Sequence, residues 1–236
     1  MKPAEWIDCY EKRALRAVAV ASADMEAAIP SCPGWTGRDL VLHIGVTPHG
    51  LAVCVNTPVG GLPDMSKIEE GYNSAPTDDK SLIDWACIEI KGWAAHLRDL
   101  DPSAPAFSMT ADQTLGYWMR HSAVETTVHL WDAEGITGLR TGIAPDLGAD
   151  GIEELFLFLD YRRFRQDPLP ARSMLVIPSD TQRTWIFPGT DGPTSTSDEV
   201  RGEAAQFMLR LYGRHTGTFT GAVDTLDAWA TLPPIQ

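Results

Sequence analysis

Residues 115–136, LGYWMRHSAVETTVHLWDAEGI, carry apolar side chains on nearly every side of a helix. A helix without a polar face has to be enclosed by other helices, so this run points the chain toward a bundle. Other stretches supply the walls. Trp6, Cys9, Tyr10, Arg13, Ala14, Ala17 and Val18 recur at helical spacing and predict a first helix ending before Ile29-Pro30. After the turn SCPGW, Thr36 and Asp39 stand in a capping-box arrangement that starts a second helix at Gly37 and carries it into the fifties. Ser81–Leu100 predicts a third helix, closed by the prolines of DPSAPAF; residues 115–136 are the fourth, and Asp150–Phe164 the fifth. Residues 56–80, rich in Pro, Gly, Asp and Ser, read as a long loop of a length that is often functional and is expected to overhang something.

The character changes after Gln166-Asp167-Pro168-Leu169-Pro170. SMLVIP and RTWIFP are short β-branched and aromatic runs between turn residues, which predicts two strands of a small sheet. Glu199–Arg214 reads as a helix, and FTGAVDTLDAWATL as a strand with a closing turn. The glycine-rich stretches PGTDGPTST and TGTFTG read as hairpin turns. The fold class expected is α+β, with a helical bundle over residues 1–166 and a small α+β domain over 167–236.

With 32 acidic against 19 basic residues the net charge is −13, a surface that repels phosphate backbones and anionic lipid. The partner expected is therefore a small-molecule substrate, not nucleic acid or membrane, for a monomer or homodimer. The N-terminal residues are charged and lack an apolar signal core, and no run is long enough to span a bilayer, so a cytoplasmic location is expected. Cys9, Cys32, Cys54 and Cys87 form no CxxC pair and read as packed thiols, with Cys32, in the turn, the one to watch. Dinucleotide, P-loop and serine-hydrolase motifs are absent.

The chemistry concentrates on two helices. On the fourth, His129 falls in the stripe of Leu115, Trp118, Ser122, Thr126, Ala133 and Ile136, with Glu125 at its edge one turn earlier. Ionisable groups facing a bundle interior are costly unless paired or metal-bound. On the second helix, His43 in LVLHIG also points inward, which completes a His2Glu set suited to zinc with an open fourth position. Spacing leaves a second reading open, a core histidine bonded to a backbone carbonyl beside a Glu–His hydrogen bond. Asp132 is placed to orient a ligand imidazole. Trp35 and Trp118 are candidates to line a substrate pocket. His121 lies about 80 degrees from His129 around the helix, off the site. His49, His96 and His215 read as structural.

SCPGWTGRDLVLHIG, WMRHSAVETTVHLWDAEG and GADGIEELFLFLDY, in that order, resemble the mycothiol-dependent maleylpyruvate isomerase family, whose N-terminal domain is a DinB-like four-helix bundle. EAAQFMLRLYGR resembles, more loosely, the helix of that family's small C-terminal domain. The resemblance implies that His43, Glu125 and His129 hold a zinc-type ion that binds the thiol of mycothiol or a similar cofactor. It implies an isomerase or thiol S-transferase acting on an electrophilic metabolite, with an arginine on the substrate carboxylate; Arg214 in LYGR, or Arg210 behind it, takes that place. Two departures stand out. Val124 replaces a histidine that many relatives carry before the ligand glutamate, and Pro48 is expected to bend or end the second helix one turn past His43. They point to a specialised substrate, or to a non-catalytic binding or sequestration protein on the same bundle.

Overall fold

The computed structural model describes residues 1–64, 66–192 and 197–233. The chain divides into two compact units, Met1–Ser108 with Asp112–Gly142, and Met109–Ala111 with Ile143–Gln236.

In the first unit, α1 (Pro3–Ala21), α2 (Gly37–Val55), α4 (Asp79–Arg98) and α5 (Leu115–Glu134) close a ring, α1 against α5 and α4, and α2 against α4 and α5. The helix starts are set by side chains that satisfy free amide groups. Thr36 Oγ1 accepts from the Asp39 amide and Asp39 accepts from that of Thr36, while Asp78 and Thr114 cap α4 and α5. The apolar run buries as expected, with Tyr117, Met119, Ala123, Val124 and Val128 all enclosed. Its interior hydroxyls bond back to their own helix, Ser122 to Trp118 O, Thr126 to Ser122 O and Thr127 to Ala123 O, so none needs an outside partner.

Two expectations for this unit change. The stretch 56–80 is not loop throughout, because α3 (Ser66–Ser74) forms within it and packs on α2. Its polar composition hid a short helix whose exposed faces need few apolar residues. Nor does Pro48 end α2, which runs through it to Val55. The Pro48 ring lies buried, and packing on α3 and α4 holds the helix together across the missing amide donor.

The second unit is a four-stranded sheet in the order β2-β1-β3-β4, from β1 (Met174–Pro178), β2 (Trp185–Phe187), β3 (Asp198–Gly202) and β4 (Thr220–Gly221). β1 and β3 are parallel, with Val176 opposite Val200, and the outer pairs are antiparallel. Alternate residues of β1 and β2 are buried, so one face of the sheet carries the core. The helix expected over 150–164 joins this core. It is two helices, α6 (Pro145–Leu157) and α7 (Leu159–Phe164), and Ile152, Leu155 and Leu159 pack with Met174, Phe187, Phe207 and Trp229. Apolar spacing marks the buried stripe of a helix without saying which layer will cover it; hence the units part at 142/143 where the sequence placed a boundary near 166.

The end of the chain also differs from expectation. Residues 199–202 are strand, the helix α8 being Ala204–Leu211, and α9 (Val223–Ala230) replaces the closing turn. Residues 193–196 of the glycine-rich PGTDGPTST stretch lie outside the described residues; the strands flanking it, β2 and β3, are separated by β1 and form no hairpin. Gly148 on α6 lies against the start of α8. A Cβ there would stand 2.4 Å from Ala205 N and 2.6 Å from Ala204 C. Backbone cannot yield as a side-chain tip can, so Gly148→Ala is expected to destabilise the protein by roughly 1–3 kcal/mol. Urea unfolding measures it, and an unchanged midpoint would contradict so close an approach.

Candidate metal centre

The capping box at Thr36 sets the register of α2, and that register points His43 at α5. One turn of α5 separates Glu125 from His129. The three side chains meet: His43 Nε2 lies 2.9 Å from Glu125 Oε1, and His129 Nε2 lies 3.3 Å from the same oxygen. The two imidazole rings are 4.6 Å apart and edge-on. Trp35, from the turn before α2, stacks on His129 at 6.1 Å and tilts against His43 at 5.1 Å. The site is enclosed but opens at His43, whose side chain is 28 % exposed against 16 % for Glu125 and 12 % for His129.

Behind the site a second layer of bonds holds it. His129 Nδ1 lies 3.0 Å from Asp132 Oδ2, and Ser31 Oγ donates to Asp132 Oδ1 at 2.6 Å. Burial opposes charge on His129, yet Glu125 and Asp132 outweigh it and push its pKa up to about 9. Burial likewise opposes charge on Glu125, but His129 and then His43 hold its carboxyl well below the usual range. Without a metal the centre is therefore an imidazolium between two carboxylates. One atom is left over: Glu125 Oε2 is buried and has no hydrogen-bond partner among the described residues.

This donor set fits a divalent cation. The three ligand atoms lie within 4.8 Å of one another. Tetrahedral zinc with bonds of about 2.1 Å separates neighbouring ligand atoms by roughly 3.4 Å. The spacings of 2.9 and 3.3 Å need little adjustment, and metal binding would give the three converging groups a shared partner. Cys32, His129 and Asp132 form a second such cluster, on the other nitrogen side of the His129 ring.

Of the residues singled out from sequence, His43, Glu125, His129, Asp132 and Trp35 come together here. Trp118 is engaged elsewhere: it is buried, donates its indole N–H to Phe107 O, and packs edge-on to Tyr117 and His121. His49 stacks on Trp85 beside Glu89, and His96 lies against Trp93. Arg210 pairs with Asp227, and Arg214 donates to Tyr212 O, both within the second unit. Sequence reading missed Ser31, although it opens the SCPGW turn that carries Trp35. It also assigned Tyr10 only to the core.

Residues 9–134 match the mycothiol maleylpyruvate isomerase N-terminal domain over more than half of the chain. The chain belongs to this family. Crystal structures of the mycothiol-dependent maleylpyruvate isomerase and of a histidine-to-alanine mutant of it share the fold. Each superposes with a TM-score of 0.61 at 13 % identity, covering 94 % of both chains, so the likeness extends past the bundle. No curated protein sequence matches significantly. No helix among the described residues of this family member is long and apolar enough to cross a membrane.

Proposed function

We propose that this chain is a mycothiol-dependent enzyme, an isomerase or thiol S-transferase, whose divalent metal, most simply zinc, is held by His43, Glu125 and His129. The observation that carries the reading is the convergence of two imidazoles and one carboxylate at one partly open site in a member of this family. A divalent cation bound there supplies the charge that ionises a thiol at neutral pH, and a thiolate is the nucleophile both reaction types require. The protein's own residues do the rest. Asp132, accepting from His129 Nδ1, fixes the tautomer that turns the Nε2 lone pair to the site, and Ser31 fixes Asp132. Trp35 covers both imidazoles and limits water there. Arg214 is proposed, on the family resemblance, for the substrate carboxylate.

Elemental analysis of the wild type and of His43→Ala tests this. About one divalent ion per chain, lost in the variant, together with a mycothiol-dependent rate on maleylpyruvate or another electrophilic unsaturated acid, is the expected result. A folded wild type that takes up no metal when it is supplied would overturn the reading and leave a binding protein without turnover. Asp132→Asn keeps the shape but weakens the acceptor behind His129, and is expected to lower metal affinity about 10–100-fold. Chelator competition measures that loss, and wild-type affinity would deny Asp132 its role.

A further inference from the structure

Among the described residues, two of the buried oxygens without a hydrogen-bond partner lie on α1 and α5, which pack along one another. Glu125 Oε2 on α5 is the first. The second is the hydroxyl of Tyr10 on α1, a residue 1 % exposed. Unpaired buried polar atoms are rare because water has been given up and nothing replaces it. A phenol donates one hydrogen and a carboxylate oxygen accepts, so the two vacancies are complementary in kind. Their neighbourhood agrees: after burial itself, the charge of Glu125 acts most strongly on the Tyr10 phenol, ahead of Glu11 and Glu89, and all three hold it protonated. Phenylalanine would fill the same apolar volume, so packing alone does not account for a hydroxyl here.

Resting on the metal-site reading above, we propose that Tyr10 is a positioning residue for the metal centre, its hydroxyl donating to Glu125 Oε2, directly or through one water, when Glu125 turns Oε1 to the metal. In the metal-free protein Oε1 is committed to both imidazoles and the carboxylate has no reason to turn. A cation held by the imidazole nitrogens would release the carboxylate from its two histidine contacts and leave it free to turn. The far oxygen, buried, would then carry residual charge, and a donor to it would fix which oxygen binds. Tyr10 therefore acts on metal through Glu125 and touches neither metal nor substrate.

The test is Tyr10→Phe, compared with wild type for zinc affinity by chelator competition, for the absorption spectrum of the cobalt(II)-substituted protein, and for thermal stability without metal. The expected result is a loss of zinc affinity of about 10-fold or more, the lower range for removing a hydrogen bond to a metal ligand. The cobalt ligand-field bands shift, and the metal-free melting temperature is unchanged or higher because an unsatisfied hydroxyl has gone. In a Glu125→Gln background the same substitution has little further effect on affinity, since the oxygen it serves has lost its charge. Zinc affinity within twofold of wild type with an unshifted cobalt spectrum overturns the proposal while leaving the metal site standing. A loss confined to metal-free stability overturns it in favour of packing. A wild type that binds no zinc overturns both this inference and the reading on which it rests.

Discussion

Replacing His129 by alanine is expected to remove metal binding and thiol-dependent activity together. The substitution leaves one imidazole on α2 and one carboxylate on α5, and two ligands on separate helices hold zinc too weakly to survive purification. A structural consequence follows independently. His129 is the main positive charge that offsets the burial of Glu125, and its loss leaves a buried carboxylate with His43 alone. Removing one partner of a buried pair costs about 3–5 kcal/mol. The remaining His43 contact and the partial opening of the site place this case at or below the low end, on the order of 2–3 kcal/mol. Metal content and urea unfolding of His129→Ala read the two effects separately. Full metal occupancy in the variant would remove His129 from the ligand set, whatever the stability shows.

The second large effect is on pH. His129 is raised to about 9 in the metal-free protein, and a protonated imidazole cannot ligate. Metal uptake near pH 7 is therefore expected to release about one proton, and apparent affinity to rise roughly tenfold per pH unit until about pH 9. Metal-free stability runs the other way. Because the folded pKa lies above the unfolded value of about 6.5, the folded state holds the extra proton between those limits. The stabilisation is complete below about pH 6.5 and is lost as pH rises through about 9, an effect on the order of 3 kcal/mol. Glu125, with its pKa lowered, contributes the opposite edge: its stabilisation is present above the usual glutamate range and fades as pH falls through the lowered value. Calorimetry in buffers of different ionisation enthalpy counts the proton, and thermal melts with and without zinc follow the stability. Affinity independent of pH between 7 and 9 would mean that His129 is neutral before metal arrives.

How far the site was readable depends on the residue. Glu125 and His129 lie one helical turn apart in a run with no polar face, and burying them demands a partner, which a linear pattern can show. His43 was legible as an inward histidine. That it lies 2.9 Å from Glu125 was not, because the crossing of α2 and α5 depends on residues far from both. Tyr10 shows the limit most clearly. Its spacing marks it as core, and core it is, but the missing partner of its hydroxyl becomes visible only when every neighbour is in place.

The sequence by itself determined the α+β class, the helical nature of the bundle segments, the strands SMLVIP and RTWIFP, the capping box at Thr36 and the family, because each rests on local chemistry or on motifs in order along the chain. Tertiary structure alone decided that α6 and α7 pack with the sheet, that α2 continues through Pro48, and that Asp198–Gly202 pairs in parallel with β1. The physical reason is common to these. An apolar stripe, a missing amide or a short strand leaves free energy to be gained from whichever surface covers it, and only the assembled fold supplies that surface.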